Sequence, residues 1–228
     1  MDALHRELLQ IGFGAGSDLG LVLAGGYALA AHELVDRPSR DIDFATATAI
    51  PLPDVVTRLV AAYEEAGFAV DVVEAAPRMA RMIVSTGPGT CEVNLLKEAI
   101  GPPAWLSIGP VLALDDAVGL KMRALHERAA HRDYIDIHAA NAQLSWEELE
   151  SRGARHTPGF SLEELADRLG AIEERDDHTF AACGLDDAAI AQLRHWAVSW
   201  ETDIRERIAA GETGPGAADD WDSYLDEA

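Results

Sequence analysis

The stretch Leu23-Ala-Gly-Gly-Tyr-Ala-Leu-Ala-Ala-His32, followed by Arg37-Pro-Ser-Arg-Asp-Ile-Asp-Phe44, decides how this chain is read. The compact apolar run from Leu19 to Ala24 suits a buried strand. It ends on Gly25-Gly26, where missing side chains let a backbone turn approach another group closely. Tyr27 to Leu34 has the Ala, Leu and His composition of a short helix. Asp41-Ile-Asp-Phe-Ala-Thr46 alternates polar and apolar residues, which is strand patterning. Asp41 and Asp43 then share one face, about 6.5–7 Å apart along the chain. Ile42 and Phe44 point to the other face and can anchor the strand in a core.

The chemistry follows from the residue types. Two carboxylates at that separation can reach a pair of divalent cations, whose members typically lie about 3.5–4 Å apart. Mg²⁺ takes hard oxygen ligands, usually one or two carboxylates plus substrate phosphates. The glycine pair, with amides at the start of the following helix, can receive a phosphate. Ser39 lies two residues before Asp41 on the same face, where its hydroxyl could bond a γ-phosphate oxygen. Neither half is specific alone, since Asp220-Trp-Asp222 also repeats the acidic pattern. The ordered combination of strand, Gly-Gly, helix and Arg-x-Ser-x-Asp-x-Asp predicts a nucleotide-phosphate and metal site.

Working outward, strands and helices alternate. Leu4 to Ile11 reads as an amphipathic helix, and Asp54 to Ala66 as another that stops at Gly67. Phe68–Val73, Met79–Ser85 and Thr90–Leu96 read as strands. Gly101-Pro-Pro103 breaks the chain, Asp115 can cap a helix running to about Ala130, and Arg132 to Leu144 reads as the next. The expected fold class is α/β (α+β), a mixed sheet flanked by helices over residues 1–144. From Ser145 the pattern is helical to about residue 210, with Ser145-Trp-Glu-Glu and Ser161-Leu-Glu-Glu both in capping-box form. Residues 211–228 form a Gly-rich acidic tail in which Trp221, Tyr224 and Leu225 could dock.

Composition narrows the class. The chain has 228 residues, enough for one ordinary domain and an appendage. Its apolar runs are far shorter than the roughly 20 residues of a membrane span, and the N-terminus lacks a signal-peptide pattern. Two cysteines, Cys91 and Cys183, make no disulfide framework, which points to a reduced cytoplasmic compartment. The net charge of −22 repels phosphodiester backbones and keeps the chain soluble. The histidines lack a zinc spacing, and no Gly-x-Ser-x-Gly elbow occurs. Trp146, Trp196 and Trp200 are expected in the helical core.

Residues 19–140 resemble the nucleotidyltransferase superfamily of DNA polymerase beta-like folds, and within it the AbiEii/AbiGii-type toxins. Gly25-Gly26, Ser39, Asp41 and Asp43 fit the first part of that pattern, Lys121 its helical lysine, and Asp133 and Asp136 its Asp-x-x-Asp. The resemblance implies a Mg²⁺-dependent transfer of a nucleoside monophosphate from an NTP to an acceptor hydroxyl. Asp41 and Asp43 would hold the metal and Gly25, Gly26 and Ser39 the triphosphate. Lys121 would offset charge on the leaving pyrophosphate. Asp136 would orient Lys121 or act as the base. It further implies a tRNA, protein or small-molecule acceptor and an antitoxin partner. The acidity of the chain lowers the rank of tRNA. Two positions depart from the pattern: Tyr27 follows the glycine pair where Ser or Thr is common, and Asn94 falls where a third carboxylate is expected. The alternative expectation is a catalytically degenerate nucleotide- or partner-binding module of the same fold.

Overall fold

The computed structural model describes residues 1–36, 39–87 and 89–215. Arg37 and Pro38, and the tail residues Trp221, Tyr224 and Leu225, lie outside the described residues. By internal contacts the chain divides into two compact units, one of which includes Met1–Ala117 while the other begins at Val118.

The first unit opens with helix α1 (Ala3–Gly14), capped by Asp2, whose carboxylate accepts from His5 N at 2.8 Å. Strand β1 (Val22–Leu23) leads into α2 (Gly25–Ala31), β2 (Asp41–Thr46) and α3 (Leu52–Glu65). Then come β3 (Ala69–Ala75), β4 (Met79–Thr86), β5 (Gly89–Lys97), β6 (Ala104–Leu106) and β7 (Gly109–Val111). Among the described residues the seven strands form one mixed sheet in the order β3-β4-β5-β2-β1-β7-β6. β2 runs parallel to β5 and antiparallel to β1, while β1 runs parallel to β7.

Period-two alternation gives the sheet two unlike faces. Ile42, Phe44, Met82, Val84, Val93 and Leu95 are fully buried on one of them. α1 and α3 serve this face. Gly12 of α1 lies so close to the Phe44 ring that a Cβ would stand 2.4 Å from Cζ. The Tyr63 hydroxyl of α3 donates to the Leu8 carbonyl at 3.2 Å. The opposite face carries Asp41, Asp43, Arg81, Glu92 and Asn94, none of them buried.

Helix α4 (Leu114–Glu127) leads into the second unit, with α5 (His131–Asn141), α6 (Trp146–His156), α7 (Leu162–Gly170), α8 (Asp177–Ala181) and α9 (Asp187–Ala209). Its core includes Leu149, Leu165, Leu169, Phe180 and Trp200. Trp146 stacks on Trp200 with centroids 5.8 Å apart, and Trp196 tilts against Trp200 at 5.5 Å. The buried Glu150 carboxylate accepts from Trp200 Nε1 at 2.9 Å and from Arg207 Nη1 at 3.0 Å, so its charge is met inside the helical unit. Among the described residues no helix is long and apolar enough to cross a membrane.

Three sequence expectations change. Leu19 belongs to a 3₁₀ turn (Ser17–Leu19), and the strand proper is only Val22–Leu23. Asp115 lies inside the first turn of α4, which begins at Leu114, where its charge complements the helix dipole instead of capping. The box at α6 is reciprocal, Glu148 N donating to Ser145 Oγ at 3.2 Å and Ser145 N to Glu148 Oε2 at 2.8 Å. At α7, Glu164 N donates to Ser161 Oγ at 3.3 Å, but Ser161 N donates to His126 Nε2 at 3.2 Å. The imidazole has taken the place of the returning carboxylate.

Candidate functional site

The β2 register places the acidic pair. Leu23 pairs with Phe44, and Ala24 N donates to the Asp43 carbonyl at 2.8 Å, so β1 ends beside Asp43. The next residue, Gly25, opens α2 with φ of 60°, a left-handed conformation that favours glycine. A Cβ on Gly25 would lie 1.8 Å from Asp43 Oδ2 and 2.5 Å from its Cγ. Only a residue without a side chain allows this carboxylate and this turn to meet. Gly26 is buried within α2.

Ser39 is 7% exposed, and its Oγ donates to Asp41 Oδ1 at 2.7 Å. The hydroxyl expected to reach a phosphate is thus engaged with the first carboxylate, which it orients. The segment is held from behind. Tyr27 Oη lies 2.6 Å from His5 Nδ1 and donates to the Ser39 carbonyl at 3.4 Å. Burial pushes the Tyr27 hydroxyl up to about 12, so it keeps its proton at neutral pH. Tyr27 and His5, the one after the glycine pair and the other on α1, brace the Ser39 backbone, a contact that the sequence reading did not assign. The one available signal was Tyr27 itself, a bulky residue where a small hydroxyl was expected.

Across the sheet, the parallel register pairs Asp41 with Glu92 and Asp43 with Asn94. Asn94 Nδ2 donates to Asp43 Oδ1 at 3.1 Å. Glu92 faces Arg81 of β4, 3.5 Å from its Nε. Asp41 and Asp43 are half-buried on this polar face, with two hard oxygen donor groups on one strand. Among the described residues no group of three or more His, Cys, Asp or Glu side chains could hold a metal ion by itself. Two carboxylates beside a side-chain-free turn fit a Mg²⁺ ion whose remaining ligands come from water and phosphates.

The helical unit holds the other expected residues. Lys121 of α4 is 16% exposed at its side chain, and its Nζ lies 3.0 Å from Asp136 Oδ2 and 3.7 Å from Asp133 Oδ1. Asp136 is fully buried. Asp133 is engaged structurally: it accepts from Arg128 Nε and from Ala130 N, each at 3.0 Å, closing the first turn of α5. Asp136 is therefore the partner of the lysine, and Asp133 mainly the anchor of the helix start.

A mixed sheet of this order, with an Asp-x-Asp strand set against a Gly-Gly turn, defines a nucleotidyltransferase-type protein. The chain matches, over residues 13–227, the family described as AbiEii, nucleotidyl transferase AbiEii toxin, type IV TA system, and it belongs to that family. Solved structures share the fold. A protein of H. pylori assigned as a nucleotidyltransferase superposes with a TM-score of 0.57 at 15% identity, over 93% of this chain and 99% of its own. JHP933 from Helicobacter pylori gives 0.54 at 17% identity, covering 91% and 94%. MenT4, a nucleotidyltransferase toxin from Mycobacterium tuberculosis H37Rv, gives 0.55 at 18% identity, covering 91% and 84%. No curated protein matches the chain.

Proposed function

We propose that this chain transfers a nucleoside monophosphate from an NTP to an acceptor hydroxyl in a Mg²⁺-dependent reaction, acting as the toxin of a toxin–antitoxin pair. The observation that carries the reading is the contact between Gly25 and the Asp43 carboxylate, where a Cβ would stand 1.8 Å from Oδ2. It joins the two halves of the motif, a phosphate-accepting turn and an acidic strand, in one place. Family membership supports the same reaction class.

Asp41 and Asp43 hold the metal, which when bound supplies Lewis-acid polarisation of the phosphoryl oxygens. Ser39 keeps Asp41 in one orientation through its 2.7 Å bond. The backbone at Gly25 and Gly26 receives the triphosphate. Lys121, matching the family lysine, offsets the charge that develops on the departing pyrophosphate. Asp136, 3.0 Å away and fully buried, holds the Lys121 ammonium in position. The acceptor oxygen attacks the α-phosphorus in line. Its proton leaves to solvent or a base, the bond to the β-phosphate bridging oxygen breaks, and pyrophosphate departs. The net charge of −22 favours a protein or small-molecule acceptor over tRNA. An antitoxin encoded with the chain is the expected partner, and the cytoplasm the expected compartment.

A second reading has its own observation. Asn94, neutral and in register with Asp43, suits a fold that binds nucleotide without turning it over. One assay separates the two. The purified chain is incubated with each α-³²P-labelled NTP, Mg²⁺ and cell extract, and label on RNA, protein and small molecules is counted. Transfer is expected, and it should fall at least about 100-fold in Asp41→Ala and Asp43→Ala. Nucleotide binding by calorimetry with no transfer to any fraction would favour the second reading.

A further inference from the structure

The polar face of the sheet sets its side chains in two rows. Asp43 of β2, Asn94 of β5 and Arg81 of β4 form one row, set by the pairs Asp43↔Asn94 and Arg81↔Asn94. Asp41, Glu92 and Ile83 form the other. What β5 offers the acidic pair is therefore fixed by register. In the first row it offers an amide, whose Nδ2 donates to Asp43 Oδ1 at 3.1 Å. In the second it offers a carboxylate that faces Arg81, 3.5 Å away.

These neighbours bear on how many cations the face can hold. Two divalent cations about 3.5–4 Å apart repel one another and need negative ligands on both sides. Asp41 and Asp43 supply two carboxylates, the number that a single Mg²⁺ ion commonly takes from a protein. The Asn94 N–H occupies one lone-pair direction of Asp43 Oδ1, so at this register β5 meets Asp43 with a donor and not with a further negative ligand. Glu92 lies 3.5 Å from Arg81 Nε, a cation that competes with a metal ion for its carboxylate. We propose that Asn94 restricts this face to a single divalent cation, held by Asp41 and Asp43 with the substrate phosphates, and that the identity of residue 94 sets the metal count. The proposal rests on the nucleotidyl-transfer reading of the site.

The test counts ions and does not depend on turnover. The full chain is titrated with Mn²⁺ in the presence of a non-cleavable α,β-methylene NTP and followed by electron paramagnetic resonance. A close Mn²⁺ pair gives an exchange-coupled spectrum, and an isolated ion does not. The unaltered chain is expected to give the uncoupled spectrum, lost in Asp43→Ala. Asn94→Asp, its folding checked by circular dichroism, is expected to bind one further Mn²⁺ and show coupling. A coupled pair in the unaltered chain overturns the proposal while leaving nucleotidyl transfer intact, and this arm needs no variant to fold. A folded Asn94→Asp that still binds a single uncoupled ion also overturns it. If the unaltered chain adds nothing to the Mn²⁺ spectrum of the analogue in buffer, the metal reading of the site fails, and the proposal with it.

Discussion

Replacing Gly25 by Ala probes the tightest point of the site. The left-handed backbone at φ 60° costs an L-residue roughly 1–2 kcal/mol. The methyl would also stand 1.8 Å from Asp43 Oδ2, so the carboxylate or the turn has to move. Gly25→Ala is expected to lose more than about 1 kcal/mol in urea unfolding and most of the labelled-NMP transfer. Gly14→Ala, which meets nothing within 4 Å, should lose neither. Retention of full transfer by Gly25→Ala would show that Asp43 does not need this contact. At this scale the sequence was informative where chemistry and period coincide. Asp41 and Asp43 are separated from Ile42 and Phe44 by alternation alone, and the burial follows it. It was silent where partners are distant along the chain. His5 meets Tyr27 across α1 and α2, and Asn94 meets Asp43 only because β5 pairs in parallel with β2 in one particular register. No local pattern encodes such a register, since a shift of two residues would keep every side chain on its face.

Helices α4 and α5 are joined by an ion pair. Lys121 Nζ lies 3.0 Å from Asp136, whose side chain is fully buried. Removing one member of a largely buried pair leaves the other charge less well met, at a cost of up to about 3–5 kcal/mol, whereas removing both costs less than the sum. Lys121→Met is thus expected to destabilise the helical unit by about that amount, and Lys121→Met/Asp136→Leu to recover part of it. A double-mutant cycle in guanidinium checks this, and additive losses would mean the pair is not coupled. Activity should stay lost in the double variant, which separates the structural role of the lysine from its proposed catalytic one. The same scale shows which elements could be read in advance. β4 and β5 are long and alternating, and the expected strands match to within a residue or two at each end. β6 and β7 were not anticipated. Each has three residues, with Trp105 78% exposed and a proline in β7, so neither has a period to detect. They exist because β1 leaves an open edge that Val111 fills beside Leu23.

The molecule as a whole is governed by its charge of −22. Carboxylates outnumber basic groups 40 to 18, so many lie near others of like sign, and compaction concentrates that repulsion. Raising ionic strength from about 10 to about 150 mM shortens the screening length from about 30 Å to about 8 Å. The melting temperature is expected to rise over that range, and a fall would mean that the surface ion pairs outweigh the repulsion. A pH experiment needs a reference that cancels this background, and His138 supplies one. Its ring lies 5.0 Å from that of Trp196, and burial holds it below the usual imidazole value of 6.5. Above 6.5 the ring is neutral in folded and unfolded chains alike, and the stability it contributes is fully present. As pH falls through 6.5 the unfolded chain binds the proton first, so that stability is lost toward acid. His138→Gln keeps every other charge, so the repulsive background drops out of the difference between the two chains. The unfolding free energy of the native chain minus that of His138→Gln is expected to be smaller at about pH 5 than at about pH 7.5, by urea titration at fixed ionic strength. An unchanged difference would place the folded and unfolded rings at the same proton affinity, and a larger one at acid pH would mean that protonation of His138 stabilises the fold.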